Sequence, residues 1–410
     1  MQFSELDRAF IAQHLTADPR QLLLKHGREK QPLIAQIEAR QKARQKLPTW
    51  YENVDLVFPA AISVEQSSSE ATARYKASLV SGKLLIDLTG GMGVDTSFFA
   101  TRFQKVIYLE QDEALVVQAR YNFATLGLKN IECICANSVD FLHQFSGKAD
   151  WIYADPARRA TTERGEHTRV QQLQDCQPDV TQFLPLLHQK SDDILLKAAP
   201  LLDIKQAIGI LQTVALYQVV AVKNEVKEIL FVLNHAHGHA IVAHAINLND
   251  TWPYLPTHSF VHSPAAEASL AVALHDPLRY VYEPNAAILK TGAFKSIAEA
   301  FGLYKIAPNS HLYTSETLRQ DFPGRIFELQ AIAKADAKAL ATWLPNGKAN
   351  LTIRNFPGGV DALKKTLKIK DGGEIYLFAT TLANGDKRIL VCQKPSYQDS
   401  SPLGLNYIAS

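Results

Sequence analysis

Cysteine is scarce in this sequence, and its placement is uninformative for cross-linking. Cys133, Cys135, Cys176 and Cys392 show neither a C-x-x-C pair nor the density of a disulfide framework, and they are expected to be reduced core thiols. No apolar run reaches about 18 residues, so no spanning helix is expected. The opening MQFSELDRAFIAQHL carries Glu5 and Asp7 and lacks the apolar stretch and small-residue cleavage site of a signal peptide. A cytoplasmic protein with no membrane association is therefore the expectation. An excess of one charge is also missing. With 43 Lys and Arg against 41 Asp and Glu, the net charge is +2, which excludes a general polycation. Internal repeats and low-complexity segments are absent.

What is present is an ordinary supply of core residues, 47% hydrophobic over 410 positions, enough for two or three domains of roughly 150 residues. The charge is unevenly distributed. Between positions 20 and 46, Arg20, Lys25, Arg28, Lys30, Arg40, Lys42, Arg44 and Lys46 face only Glu29 and Glu38. A second basic stretch holds Arg354, Lys364, Lys365, Lys368, Lys370, Lys387, Arg388 and Lys394. Such patches can follow a phosphate backbone, or they can be solvated helix faces.

Hydrophobic spacing divides the chain. Phe10, Ile11, Leu15, Leu22, Leu33, Ile34 and Ile37 recur at helical intervals up to Pro48, so residues 1–60 are expected to form a helical module. Ser67 and Glu70 suggest a capping box ahead of a helix that Gly82 ends. Within 61–250, the apolar segments KLLIDL, KVIYLE, IECICA, WIYAD and ILLKAA alternate with helices beginning near Asp95, Glu113, Ser138 and Thr181. That alternation predicts a doubly wound parallel sheet. YQVVAV, KEILFVLN and AIVAHAIN, the last two around AHGH, are expected as antiparallel strands at one edge. TWPYLPTHSFVHSP reads as a connector. The remainder is expected to be α+β, as a segment at 275–322 and a domain at 323–397 whose hairpin turns at Asn384–Gly385.

The stretch LLIDLTGGMGVDTSFF, residues 84–99, is a strand, a glycine turn and a helix start. A dinucleotide fingerprint fails here. Gly91 and Gly93 are followed by Thr96 at the third glycine position, and Asp87 would repel a pyrophosphate. S-adenosylmethionine (SAM) has the opposite electrostatics, with a sulfonium, an ammonium and a ribose diol. Asp87 can face its cationic methionyl end, while Gly90, Gly91 and Gly93 allow close approach of the backbone. Glu110, 17 positions after Gly93, has the spacing of a ribose-binding acid, and Asn137 at the end of the third strand can meet the adenine edge. Thr89 and Gln111 flank these groups and complete the expected cofactor set.

WIYADPARR puts Asp155 at the end of the fourth strand, where Pro156 stiffens the turn. Asp155 can accept a hydrogen bond from an exocyclic amine and so orient its lone pair for methyl transfer. Arg158 and Arg159 are candidate substrate-phosphate ligands, and 161–173 is a candidate lid. No cysteine lies at this strand end to serve as the nucleophile for C5 methylation of a pyrimidine. His235, His237, His239 and His244 lack a companion Cys or acid at ligand spacing, so no metal is expected.

DLTGGMGVD, YLEQD, YADPARR and RNFPGGVDALKKTLKIKDGGEIYLFATTLANG, together with QSSSEATARYKASL, YEPNAAILKTGAFKSIAEAFGL and HLYTSE, resemble the class I SAM-dependent methyltransferases that carry a C-terminal THUMP-like domain. The resemblance implies an α/β fold: a Rossmann-like methyltransferase domain, an N-terminal helical module and a C-terminal ferredoxin-like and THUMP-like region. It implies SAM contacts at Asp87, Gly90, Gly91, Gly93, Glu110 and Asn137, and an acceptor facing Asp155 and Pro156. THUMP domains imply structured RNA, here tRNA or rRNA, with no obligate protein partner. One departure is evident. Enzymes acting on exocyclic base amines usually carry Asp-Pro-Pro and then an aromatic, whereas Ala157 and Arg158 stand here. A small-molecule or protein acceptor, or a non-catalytic binding module, are the alternatives.

Overall fold

Local capping starts the N-terminal helices. Ser4 and Asp7 form a reciprocal capping box at α1 (Glu5–Gln13), and Asp18 caps α2 (Pro19–His26), which has Pro19 in its first turn. In α3 (Gln31–Lys46), Leu33, Ile34, Ile37, Ala39 and Ala43 are buried. Arg40 is also buried on this helix and donates to the carbonyls of Tyr51, Asn53, Val54 and Leu56, fixing the chain around α4 (Pro48–Glu52). After α5 (Ala61–Gln66) comes α6 (Glu70–Leu79). The computed structural model describes residues 3–158, 172–236, 238 and 240–396. Two units meet in the chain between Ser263 and Pro264.

The cap of α6 differs from expectation. Ser69, not Ser67, accepts from the Thr72 N–H, at 3.2 Å. Glu70 is turned away because its buried carboxylate is already bound by the Thr49 N–H at 2.9 Å and by Arg74 Nε at 3.0 Å. Gly82 opens the first strand rather than ending the helix.

The first sheet is built from β1 (Gly82–Asp87), β2 (Phe103–Glu110), β3 (Ile131–Cys135), β4 (Ala149–Ala154), β5 (Ser191–Ala198), β6 (Val214–Val222), β7 (Glu225–Asn234), β8 (Val242–Leu248) and β9 (Pro256–His262). Between them run α7 (Val94–Phe99), α8 (Glu113–Thr125), α9 (Ser138–Gln144), α10 (Leu184–Lys190) and α11 (Ile204–Leu211). The strand order is β9-β8-β6-β7-β5-β4-β1-β2-β3. Strands β3, β2, β1, β4 and β5 are mutually parallel, and β7 is inserted antiparallel between β5 and β6. The chain leaves β1 in one direction for β2 and β3, then returns for β4 and β5. That reversal opens a crevice above the C-terminal ends of β1 and β4, where α/β folds bind ligands.

Two edge expectations change. AHGH does not close a hairpin: β8 pairs parallel with β6, because β6, not β8, lies next to β7. The tight turn is instead at Lys223–Asn224, both at positive φ, between β6 and β7. The segment read as a connector supplies β9, antiparallel to β8.

The helical module shares a core with the glycine turn. Trp50, Leu56, Phe58 and Val64 pack with Met92 and Val94. Asn122 on α8 makes this attachment specific, accepting from the Val57 N–H at 2.9 Å and donating to its carbonyl at 2.7 Å.

The second unit contains α12 (Pro264–Ser269), β10 (Tyr280–Pro284), α13 (Ala286–Thr291), α14 (Ser296–Phe301), β11 (Tyr304–Lys305), β12 (Tyr313–Ser315), β13 (Gly324–Ala333), α15 (Ala337–Leu340), β14 (Asn350–Arg354), α16 (Val360–Leu367), β15 (Tyr376–Thr381) and β16 (Lys387–Gln393). One sheet runs β11-β12-β10-β13-β16-β15-β14, antiparallel except for the β14/β15 pair. Alternation on β15 and β16 sends Leu377, Ala379, Ile389 and Val391 toward Leu363 and Leu367, while Phe378, Leu390 and Cys392 pack with Val281 and Phe327. The Asn384–Gly385 hairpin joins β15 to β16, with Gly385 at φ +88°.

Candidate active site

The glycine turn is assembled around Asp87. Its carboxylate is only 1% exposed and accepts from the Thr89 N–H at 3.0 Å and the Thr96 hydroxyl at 2.5 Å. Burial pushes this carboxyl up to about 7, against the lowering effect of the two hydrogen bonds. Both carboxylate oxygens of Asp87 are thus engaged within the turn. The carboxylate lies beneath the turn and shapes it. The glycines also have an internal cause: a Cβ at position 90 would come within 2.1 Å of the Tyr108 ring, and one at Gly93, φ +85°, within 2.5 Å of Phe123. Gly91, at φ +52°, is open. A Cβ there would meet only the Thr89 carbonyl, at 3.9 Å.

Glu110 ties the turn to the end of β2. It accepts from the N–H groups of Gly91 at 3.0 Å, Gln111 at 2.7 Å and Asp112 at 2.9 Å. Tyr108 reinforces the junction by donating to the Gly91 carbonyl at 2.5 Å. Gln111 is exposed, as is Asn137, whose side-chain oxygen caps α9 through the Val139 and Asp140 N–H groups. Cys135, expected in a core, is exposed beside Gln111 because β3 is an edge strand.

Thr89 joins this turn to the end of β4. Its hydroxyl accepts from the Asp155 N–H at 2.7 Å. Asp155 Oδ2 in turn accepts from Lys197 Nζ at 2.6 Å. Pro156 follows, half-buried. Beyond it, Ala157 and Arg158 pair with Gln177 and Cys176 in a two-residue ladder. Arg159, and residues 161–171 of the candidate lid, lie outside the described residues.

Under this site is a charge network that sequence reasoning missed. Lys76 on α6, fully buried, donates to Glu228 on β7 at 2.9 Å and to Ser68 at 2.8 Å, and it pairs with Asp95 at 3.2 Å. Asp95 also accepts from the Tyr153 hydroxyl at 2.7 Å and from Ser68 at 2.8 Å. Burial works against ionisation of Asp95, but Lys76, Lys197 and these hydroxyls outweigh it and hold the carboxyl low. For Glu228, burial outweighs the same lysines and raises it. Lys197 is likewise opposed by burial, yet Asp155, Glu228 and Asp95 hold its ammonium charged to well above its ordinary range. Lys46 of α3 is pushed down to about 8, first by burial and then by the Lys197 charge. Lys197 had a visible signal, a lysine inside the apolar strand ILLKAA. Lys76 and Glu228 did not, being 152 positions apart.

The described histidines do not converge. His244 bonds to Ser259 at 2.7 Å, and His235 lies against His188 with ring centroids 5.3 Å apart. His237 and His239 are outside the described residues. Among the described residues there is no group of three or more potential metal ligands, and no helix is long and apolar enough to cross a membrane.

Residues 280–323 match a ferredoxin-like domain family, and residues 324–394 match a family described as THUMP domain-like. The crystal structure of a Porphyromonas gingivalis W83 protein, assigned as a methyltransferase, is 32% identical, covers 97% of this chain and 100% of its own, and superposes with a TM-score of 0.84. An uncharacterised SAM-dependent methyltransferase of Mycobacterium tuberculosis, from strains CDC 1551 and H37Rv, is 21% identical over 325 residues, 79% of this chain and 84% of its own. With the doubly wound sheet and the glycine turn at its crevice, these likenesses place the chain among the class I SAM-dependent methyltransferases with a THUMP-like C-terminal domain.

Proposed function

We propose that this methyltransferase acts on a base nitrogen of structured RNA, tRNA or rRNA, and that Asp155 positions the acceptor. The observation that carries this reading is the Asp155–Lys197 ion pair, 2.6 Å long, beside the glycine turn. A carboxylate paired with a charged lysine is a hydrogen-bond acceptor only. It therefore suits an amine N–H, and binding that hydrogen directs the nitrogen lone pair into the crevice. Lys197 fixes the direction of Asp155, and Thr89 fixes its backbone. Pro156 limits the turn, while Arg158 and Arg159 are the proposed contacts to the substrate backbone.

The residues present fit SAM. Gly91 leaves open space at the crest of the turn, and the Glu110 carboxylate is bound to its N–H, which suits a cationic ligand bearing a diol. Thr89, Gly90, Gly91, Gly93, Glu110, Gln111 and Asn137 would hold it, and Asp87 would support the turn from below. When bound, SAM supplies an already activated methyl group, so the protein's contribution is alignment more than proton removal. RNA is favoured over a small acceptor by the THUMP-like match and by the exposed members of the two basic stretches, Arg20, Lys25, Arg28 and Arg44 in the first and Lys365, Lys368, Lys370 and Lys387 in the second.

Methyl transfer from labelled SAM to RNA from a strain lacking this gene tests the proposal. Asp155→Asn is expected to lower the rate on the order of 10²-fold while SAM still binds. SAM binding without any labelling of RNA would overturn the RNA reading and favour a small-molecule or protein acceptor. Full activity of Asp155→Asn would overturn the role of the carboxylate.

A further inference from the structure

In the sheet of the second unit, one buried carboxylate holds two arginines. Glu283 on β10 is 3% exposed. Its Oε2 accepts from Nε of Arg325 on β13 at 2.6 Å and is also paired with Nη2 of that guanidinium. Its Oε1 takes Nε of Arg354 on β14 at 3.0 Å and Nη2 at 2.8 Å. Both arginines thus present the same edge, Nε with Nη2, to the carboxylate. A guanidinium carries five N–H donors in a rigid fork, so Nη1 of each is directed away from Glu283. Among the described residues no protein group accepts from either Nη1. The two side chains are 43% and 35% exposed.

The geometry is preset. The Arg325 guanidinium lies over the rings of Phe327 and Phe378, 5.5 and 5.9 Å from their centroids, and its Nη2 also reaches the Thr352 hydroxyl at 3.3 Å. One arginine would neutralise Glu283. The second leaves a net positive charge with outward donors, the arrangement that receives a tetrahedral oxyanion. The surrounding field has the same sign: the His311 imidazole is pushed down to about 4 by burial and by the Lys305 and Arg354 charges.

We propose that Arg325 and Arg354, aligned by Glu283, form a clamp for a phosphate ester, and that its occupant is a backbone phosphate of the RNA. The identity of the occupant rests on the RNA reading above. The clamp carries a net charge of one and stands half in water, where screening keeps the affinity for a single phosphate low. A polymer that supplies several phosphates at once uses such a contact efficiently.

The test is binding of fluorescently labelled, unfractionated tRNA to the full-length protein across a potassium chloride series. The slope of log K against log salt is expected to shrink by about 1 in the Arg325→Gln/Arg354→Gln double variant, and by no more than that in either single variant, because the clamp holds one phosphate. Arg354→Lys, which keeps the charge and loses the fork, is expected to retain the slope and bind more weakly. It also serves as the folding control. An unchanged slope in a folded double variant overturns the proposal, as does a wild-type protein that does not bind the tRNA. Displacement of the tRNA by low-millimolar inorganic phosphate would overturn the RNA occupant in favour of free phosphate. Methyl transfer measured on the same preparations separates the two readings. An arginine-dependent slope without methylated RNA leaves the clamp and removes the RNA acceptor. Methylated RNA with an arginine-independent slope does the reverse.

Discussion

Two charge clusters, one in each unit, are built from similar residues to opposite ends. Lys76, Asp95 and Glu228 lie under the candidate active site almost without solvent contact, and their hydrogen bonds are directed at one another and at Ser68 and Tyr153. Glu283, Arg325 and Arg354 keep only the carboxylate buried and turn guanidinium donors outward. Burial decides the difference. A charge removed from water must have its partners inside the protein, so the first cluster can position strands and helices but has little left for a ligand. A half-exposed arginine keeps its hydration and its free donors, so the second contributes less to stability and more to recognition.

The largest break in this comparison should come from Lys76→Met, which leaves Asp95 and Glu228 buried without their shared cation. Urea denaturation is expected to show a loss of about 3–5 kcal/mol, with partial recovery when Glu228→Gln is added. Recovery to the wild-type value by Glu228→Gln alone in that background would show that Asp95 does not need Lys76. Gly90→Ala should cost about 1–3 kcal/mol, since its Cβ meets the Tyr108 ring at 2.1 Å, and should weaken SAM binding measured by calorimetry; normal stability would mean the ring can move aside. Arg354→Gln should change stability by no more than about 1 kcal/mol, because Arg325 remains on Glu283 and Arg354 is a third exposed. A drop of several kcal/mol would make the triad a brace.

The smallest effect concerns pH. Lys46 titrates at about 8 in the folded protein against an ordinary 10.5, so the unfolded chain binds more protons across that window. Its contribution is unfavourable below pH 8, and stability gains as pH rises from about 8 to 10.5. Lys46→Met should therefore show a shallower rise over that window than the wild-type protein. Identical pH slopes would place Lys46 in water.

Much of the methyltransferase half was legible because its signals are local. The alternation of KLLIDL, KVIYLE, IECICA, WIYAD and ILLKAA with helices produced β1 to β5, and the Asn384–Gly385 turn produced its hairpin. Other features were legible in kind but wrong in partner. KEILFVLN and AIVAHAIN are strands, yet the first pairs with β5 and β6 while the second lies parallel to β6, since apolar strands do not encode which neighbour they meet. In the candidate site, Asp155, Glu110 and the glycines stood out by their position at strand ends. The direction of Asp87 did not, because only the folded turn brings Thr96 to its second oxygen.

Sequence alone was enough for the strands β1 to β5, the glycine turn and the acids at or just past the ends of β1, β2 and β4, because each depends on residues close along the chain. Tertiary structure alone decided that Lys197 meets Asp155 from 42 positions away, that Lys76 meets Glu228 from 152, and that Arg354 meets Glu283 from 71. The physical reason is that a charge's partner is chosen by which groups leave water together, and sequence separation places almost no limit on that choice.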